Sequence, residues 1–275
     1  MIRWSPTVAA AFIALAIATN AGAASAPPSY INAAVNDASR PDADKARDAD
    51  RKPGEMLAIS GLKPGGNVAD MIPGGGYFTR LFAKAVGPKG HVYAFVPQEL
   101  LTKRATAADG IKALAADQAY SNVSVIEGPI NGFNAPQALD LAWTSQNYHD
   151  LHNWASAENL AAFNKAVFAA LKPGGIYIVL DHVAAAGAPA DVTETLHRID
   201  PAIVKKEVVA AGFKFEGASA VLRHPEDDHT AKVFDAGVRG KTVVVFMDNV
   251  SLPADQFPAL LAKADAVLKT LKFPG

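Results

Sequence analysis

Between Asn67 and Leu180 the chain alternates short apolar runs with longer stretches of helical spacing, and this alternation narrows the possible folds more than any other feature. The runs from Asn67 to Ile72, His91 to Val96, Val123 to Ile126, Leu139 to Thr144 and Ile176 to Leu180 predict strands. Helices are expected from Tyr77 to Val86, ended by Gly87-Pro88, from Glu99 to Tyr120 in an alanine-rich stretch, and from Glu158 to Leu171, closed by Lys172-Pro173-Gly174-Gly175. Parallel neighbours need crossover connections, so strands and helices in turn predict a mostly parallel sheet covered by helices. The last parallel run is apolar throughout, as in a strand buried on both faces. After it the pattern changes: Pro201 to Ala211 reads as a helix stopped by Gly212, and the runs Phe213 to Leu222 and Thr242 to Phe246 as an antiparallel pair finishing the sheet. No internal repeat or convincing linker divides this α/β body, assigned to residues 37–250.

The two ends of the chain read differently. Arg3, an apolar run from Val8 to Ala18 and small residues from Ala21 to Ala26 match an export signal cleaved after Ala23, residues 1–23; the run is too short to span a bilayer. The expected location is therefore periplasmic or secreted. Pro27 to Val35 reads as a loosely held leader. Asp37 to Lys52 holds five acids and five bases with signs interleaved, the pattern of a solvated helix. At the far end, residues 251–275 place Phe257, Leu260, Leu261, Ala264, Val267, Leu268 and Leu271 at helical spacing. This extra C-terminal helix is expected to pack on the body or to pair two chains as a homodimer.

Composition sets limits on function. With 26 basic against 27 acidic residues there is no electrostatic footprint for nucleic acid or an anionic membrane, and no stable membrane insertion is expected. The chain has no cysteine, which excludes a thiol nucleophile and a thiolate metal site and suits an oxidising compartment.

Three glycines, Gly74, Gly75 and Gly76, stand between the first strand and the first long helix. Glycines there allow a tight turn and close backbone approach to a ligand, while free N–H groups at the helix start favour polar or anionic groups. Asp70, near the strand end, can accept a hydrogen bond from an ammonium or hydroxyl. Thr79 stands where a dinucleotide fingerprint needs glycine or alanine, which argues against NAD.

The segments ADMIPGGGYFTRLFAKAVGPKGHVYA, NYHDLHN, LKPGGIYIVLDH and LHRIDPAIVKKEVVAAGF, in this order, resemble the class I S-adenosylmethionine (SAM) dependent methyltransferases, and within them an exported bacterial subgroup of predicted methyltransferases. The resemblance runs from about Lys45 to Met247. It implies a Rossmann-like fold with a seven-stranded sheet ending in an antiparallel hairpin, SAM as cofactor and a small-molecule substrate. Carried over by position, Asp70, Pro73, Gly74, Gly75, Gly76 and Tyr77 would surround the amino-acid end of SAM, with Gln98, Glu127, Gly128 and Asn147 further along it. Ile72 stands where the superfamily usually has a glycine. Val96 stands where an acid usually binds the ribose, and Pro129 where an acid often contacts adenine. Those departures keep open a second reading, an exported ligand-binding protein that retains the fold without SAM catalysis, or a different reaction on the same scaffold.

Ligands of open α/β sheets sit outside the carboxyl ends of the strands. The fourth and fifth strands end in TSQNYHDLHN and LDHV, so Asn147, Tyr148, His149, Asp150, His152, Asp181 and His182 should gather on one rim. Methyl transfer needs an aligned acceptor and often a base. His149 is the expected base or orienting group, Tyr148 shapes the acceptor pocket, and Asp181 and His182 follow as candidates. His149 and His152 are three apart and His182 and His197 could approach them, but no H-E-x-x-H pattern appears, so no metal is expected.

Overall fold

A computed structural model describes residues 27–235 and 243–248. The strands are β1 (Asn67–Met71), β2 (His91–Pro97), β3 (Val123–Gly128), β4 (Leu139–Ser145), β5 (Leu171–Asp181), β6 (Lys214–Ser219) and β7 (Val243–Asp248), in the order β3-β2-β1-β4-β5-β7-β6. The first five run parallel, while β7 is antiparallel to both β5 and β6. Strand order reverses between β1 and β4. Their carboxyl ends therefore open a crevice at the switch point, where the crossover helices diverge to opposite faces.

Each face carries its own apolar cluster, which explains the unbroken apolar runs. Val68, Trp143 and Ile178 pack on one side with the helix Tyr77–Val86, and Ala69, Met71, Ala142 and Val179 on the other with Leu160, Phe163 and Val167 of the helix Ala157–Ala170. The helix Pro201–Ala210 starts as its sequence suggests, with the Asp200 side chain accepting from Ala202 N–H at 2.8 Å.

Four expectations need correction. The presumed leader is a helix, Ser29–Val35, with Ile31 and Ala34 buried and the Tyr30 hydroxyl donating to Leu62 O at 2.7 Å. Burying Ile31 alone contributes roughly 1.5–3 kcal/mol, enough to hold so short a segment down.

The charge run is three short helices, Asp42–Lys45, Asp48–Arg51 and Pro53–Ile59, rather than one solvated helix. Some of its charges face inward partners while Asp42, Lys45, Arg47 and Asp50 stay exposed: Arg40, 2% exposed, donates to both Asp48 oxygens at 2.9 and 2.6 Å, and Arg80 reaches Asp44 at 3.1 Å. Burial opposes the Asp48 charge, yet hydrogen bonds from Arg40 and the Tyr77 hydroxyl hold its carboxyl below the usual range.

The alanine-rich stretch divides into Gln98–Lys103, Asp109–Ala116 and a single 3-10 turn, Gln118–Tyr120, with Arg104 in extended backbone. Between Leu101 and Ile111 no large apolar side chain is present, so a continuous helix there would bury almost nothing. Lastly, β5 begins at Leu171. Lys172-Pro173-Gly174-Gly175 forms its irregular start, where pairing jumps from Leu139–Leu171 to Leu141–Ile176.

The export-signal segment 1–23 and the tail 251–275 lie outside the described residues. No helix among the described residues is long and apolar enough to cross a membrane.

Candidate active site

At the switch point lies a cavity of about 490 Å³, within the range of small-ligand sites. Its floor is Asp70 and the loop Ile72–Gly75 after β1, together with Ser145, Gln146 and Asn147 at the end of β4. Asp44, Arg47 and Arg51 of the N-terminal segment wall one side, Leu100, Lys103 and Arg104 another, and Asp150 and Trp154 a third.

The loop is held in unusual backbone. Ile72 and Gln146, on neighbouring strand ends, take left-handed φ values of 58° and 61°, as do Gly74 and Gly76 at 56° and 83°. A β-branched residue there is strained by on the order of 1–3 kcal/mol. The Asn147 amide secures the turn, donating to Ile72 O at 2.9 Å. The glycines differ in purpose. A Cβ on Gly76 would lie 2.6 Å from Leu114 Cδ1, whereas one on Gly75 would meet nothing within 4 Å. Gly76→Ala is therefore expected to lose about 2–4 kcal/mol, from left-handed strain and overpacking, while Gly75→Ala stays close to wild type. Urea unfolding of both variants checks this; equal stabilities would refute it.

Asp70 is buried, accepting from Thr79 Oγ1 at 2.6 Å. Burial raises its pKa to about 7, against the hydrogen bond from Thr79 and the charge of Arg51. Arg51 sits 4.7 Å over the Tyr77 ring and donates to Gln146 Oε1 at 2.5 Å; burial lowers its pKa to about 10. Two buried acceptors on the cavity wall, Asn147 Oδ1 and Ser145 Oγ, have no hydrogen-bond partner among the described residues. Both residues line the cavity, but these two atoms are themselves buried, so a polar ligand would complete them only after a small side-chain shift.

Beside Asp150 lies a chain of titratable groups. Asp181 accepts from the backbone N–H groups of His149 and His182 at 2.7 and 2.8 Å, and its Oδ1 is 2.8 Å from His149 Nδ1. Burial opposes the Asp181 charge, but the His149 imidazolium outweighs it and keeps the carboxyl below its usual range. For His149 the same contest ends with its pKa raised, burial being overcome by Asp181. His149 Nε2 faces Asp150 Oδ1 at 3.6 Å, and burial lifts the Asp150 carboxyl to about 6. The His197 ring stands 5.4 Å from that of His149. Next to it, Arg198 turns fully inward, donating to both oxygens of Asp227 at 2.9 Å and to Val183 O and Ala231 O. The polar loop Arg223 to Thr230 thus supplies a buried counter-charge.

No family model and no curated protein sequence matches the chain. Among solved structures, a SAM dependent methyltransferase from Aquifex aeolicus superposes with a TM-score of 0.53 at 18% identity, covering 76% of this chain and 96% of that one. Its fold is that of the SAM-dependent methyltransferases. The glycopeptide N-methyltransferase MtfA is similar too, with TM-score 0.51 and 14% identity over 74% of this chain and 90% of that one.

Within this methyltransferase fold, the predicted site residues divide. Asp70, Pro73, Gly74, Gly75, Tyr77 and Asn147 line the cavity, while Gly76 packs behind it. Gln98, Glu127 and Gly128 do not: Gln98 is exposed and Glu127 pairs with Lys112 at 2.6 Å. Gln98 follows β2, and Glu127 and Gly128 end β3, one and two strands from β1, with the helices Gln98–Lys103 and Asp109–Ala116 on that side.

Tyr148 does not shape a pocket. It is buried in the second apolar cluster, its hydroxyl 3.0 Å from Glu207 Oε2 and accepting from Asn164 at 2.8 Å. On the helix Tyr148–Trp154, Tyr148, Leu151 and His152 share one face, and Asp150 is turned toward the cavity. His152 pairs with Glu207 at 3.1 Å. His149 and Asp181 stand behind Asp150, and His182 is buried beside them. Sequence reasoning missed Asp44, Arg47 and Arg51, whose interleaved charges look like an ordinary solvated helix.

The methionine end of SAM fits: Asp70 offers a carboxylate to the ammonium, Asn147 Oδ1 an orphaned acceptor, and the Gly74–Gly75 turn open space. Past β2, among the described residues, no carboxylate lines the cavity; Val96 is in the core and the Glu99 carboxylate accepts from Ile130 N–H at 3.0 Å.

Proposed function

We propose that this protein is a SAM-dependent methyltransferase acting on a small molecule outside the cytosol. The observation that carries the reading is the buried Asp70 carboxylate, set with the orphaned Asn147 Oδ1 around a glycine turn, in a cavity at the switch point of a methyltransferase fold. SAM bound there would supply an electrophilic methyl group. Asp70 and Asn147 would hold its amino-acid end, and the Ile72 carbonyl is kept in place by the Asn147 amide. Arg51, held between Tyr77 and Gln146, ties the N-terminal segment to the cavity wall. Asp150 is the cavity-lining group placed to accept a proton from the methyl acceptor, with His149 behind it and Asp181 fixing the imidazole. Export is supported by the signal pattern of residues 1–23, and a mature N-terminus at Ala24 by mass spectrometry is the expected result.

Calorimetric titration of the mature protein with SAM and S-adenosylhomocysteine tests the cofactor. A single saturable site is expected, weakened about tenfold or more in Asn147→Ala. The wall of Leu100, Lys103 and Arg104, without a carboxylate for the ribose, favours the second reading, a ligand-binding protein without methyl transfer. No heat and no thermal shift at millimolar SAM would establish that second reading instead.

A further inference from the structure

Among the described residues, one group of three side chains brings a potential metal-donor atom from each within 4.8 Å of the other two: His149, Asp150 and His197. Asp150 Oδ1 lies 3.6 Å from His149 Nε2 and 3.9 Å from His197 Nδ1. Donors sharing one zinc-like ion at tetrahedral angles stand about 3.3 Å apart. Small side-chain rotations would therefore close the shell.

Three further features prepare these residues for that role. Asp181 accepts at His149 Nδ1, which directs the other ring nitrogen, Nε2, toward Asp150. A carboxylate on the far nitrogen is the usual support of a metal-ligating histidine. Asp181 is itself fixed by two backbone N–H groups, so the imidazole has little freedom to turn. His197 is held at φ 54°, in strained left-handed backbone, by the buried Arg198–Asp227 pair next to it, and Phe234 packs edge-on against its ring at 4.7 Å. Strain of this kind persists only where the surroundings over-determine it, and it gathers at functional sites.

We propose that His149, Asp150 and His197 bind a divalent metal ion at the edge of the cavity, with Asp181 as a positioning residue. Two imidazoles and one carboxylate suit a borderline ion such as Zn²⁺, Fe²⁺ or Co²⁺ rather than Mg²⁺ or Ca²⁺, which favour oxygen donors. Three protein ligands leave at least one position open, and because Asp150 lines the cavity, an oxygen of the bound small molecule can fill it. The site deepens the methyltransferase reading by assigning the acceptor a metal-binding oxygen. With the ion in place, Asp150 and His149 would be ligands rather than the base, and the acceptor oxygen, made more acidic by the ion, would lose its proton to solvent on binding. Sequence spacing could raise His197 as a partner of His149 but not place it, because the two are far apart in the chain, and His152, the spaced neighbour, faces the other way.

The test uses the full mature protein without a histidine tag, stripped with a chelator and then titrated with Zn²⁺ and Co²⁺ in the absence of SAM. About one ion per chain is expected by elemental analysis, with a Co²⁺ visible spectrum showing nitrogen ligation. His197→Ala, at a half-buried position, should weaken binding at least 100-fold, and Asp181→Asn by roughly 10–100-fold. His152→Ala should bind as wild type. Circular dichroism checks that each variant is folded; if His149→Ala is not, His197→Ala still decides. No stoichiometric ion in wild type, or wild-type binding by His197→Ala, overturns the proposal. SAM binding without metal binding overturns it alone, whereas metal binding without SAM binding supports it and overturns the cofactor assignment.

Discussion

Asp70→Asn is expected to abolish measurable SAM binding and to remove a pH dependence from the protein's stability. Asp70 is the buried carboxylate of the cavity floor, and its pKa is pushed from 3.8 to about 7 by burial. Folded protein thus keeps this proton over a range in which the unfolded chain has released it. The stabilisation is complete below pH 4 and is lost as pH rises through about 7. A shift of about three units corresponds to on the order of 4 kcal/mol between those limits. Asparagine cannot ionise, so the variant should lose this component of the pH dependence, keep the smaller one from Asp150, and be more stable than wild type at pH 8. An ammonium placed against Asp70 reverses the burial penalty, so SAM affinity in wild type should rise from pH 6 to pH 8. Urea unfolding at pH 5 and pH 8, with SAM titrations at pH 6 and pH 8, measures both effects. Identical pH slopes for variant and wild type would show that Asp70 is not the buried acid responsible.

Asp227→Ala should be among the most damaging single substitutions. Arg198 is completely buried and Asp227 nearly so, and two 2.9 Å hydrogen bonds join them. Removing the carboxylate strands a buried guanidinium, which costs about 3–5 kcal/mol. For a body of some 200 residues that is a fall in melting temperature of roughly 10 °C. The pair also anchors the loop that carries His197, so weakened metal binding should accompany the lost stability. Burial opposes the Asp227 charge, but hydrogen bonds from Arg198 and the His229 amide lower its pKa. Its contribution is therefore present at neutral pH and lost only as pH falls below the ordinary carboxylate range. A melting temperature within 2 °C of wild type would contradict this account.

The alternating strands and helices were legible because apolar periodicity and Gly-Pro punctuation are local signals. The glycine turn beside Asp70 was legible for the same reason. Tyr148 and Asp150 were not told apart, since NYHDLHN shows that a helix can form but not which face meets the core. Packing against Leu160 and Phe163 turned Tyr148 inward and left Asp150 to the cavity. The run from Asp37 to Lys52 was misread because its partners lie outside it: Tyr77 and Arg80 are some thirty residues away, and Gln146 further still. Gln98 and Glu127 were placed by analogy with strand ends, and the broken helix between Leu101 and Ile111 changed what faces the cavity.

The sequence by itself determined the α/β architecture and the glycine turn after β1, since each depends on neighbours within a few residues. It also determined that Asp70 would stand beside that turn. Only the tertiary structure decided that Asp70 would be buried enough to hold a proton near neutral pH, that the N-terminal charges would wall the cavity, and that His197 would meet His149 and Asp150. Those outcomes depend on desolvation and on contacts between groups far apart in the chain, and neither exists until the sheet and its two helical layers have closed.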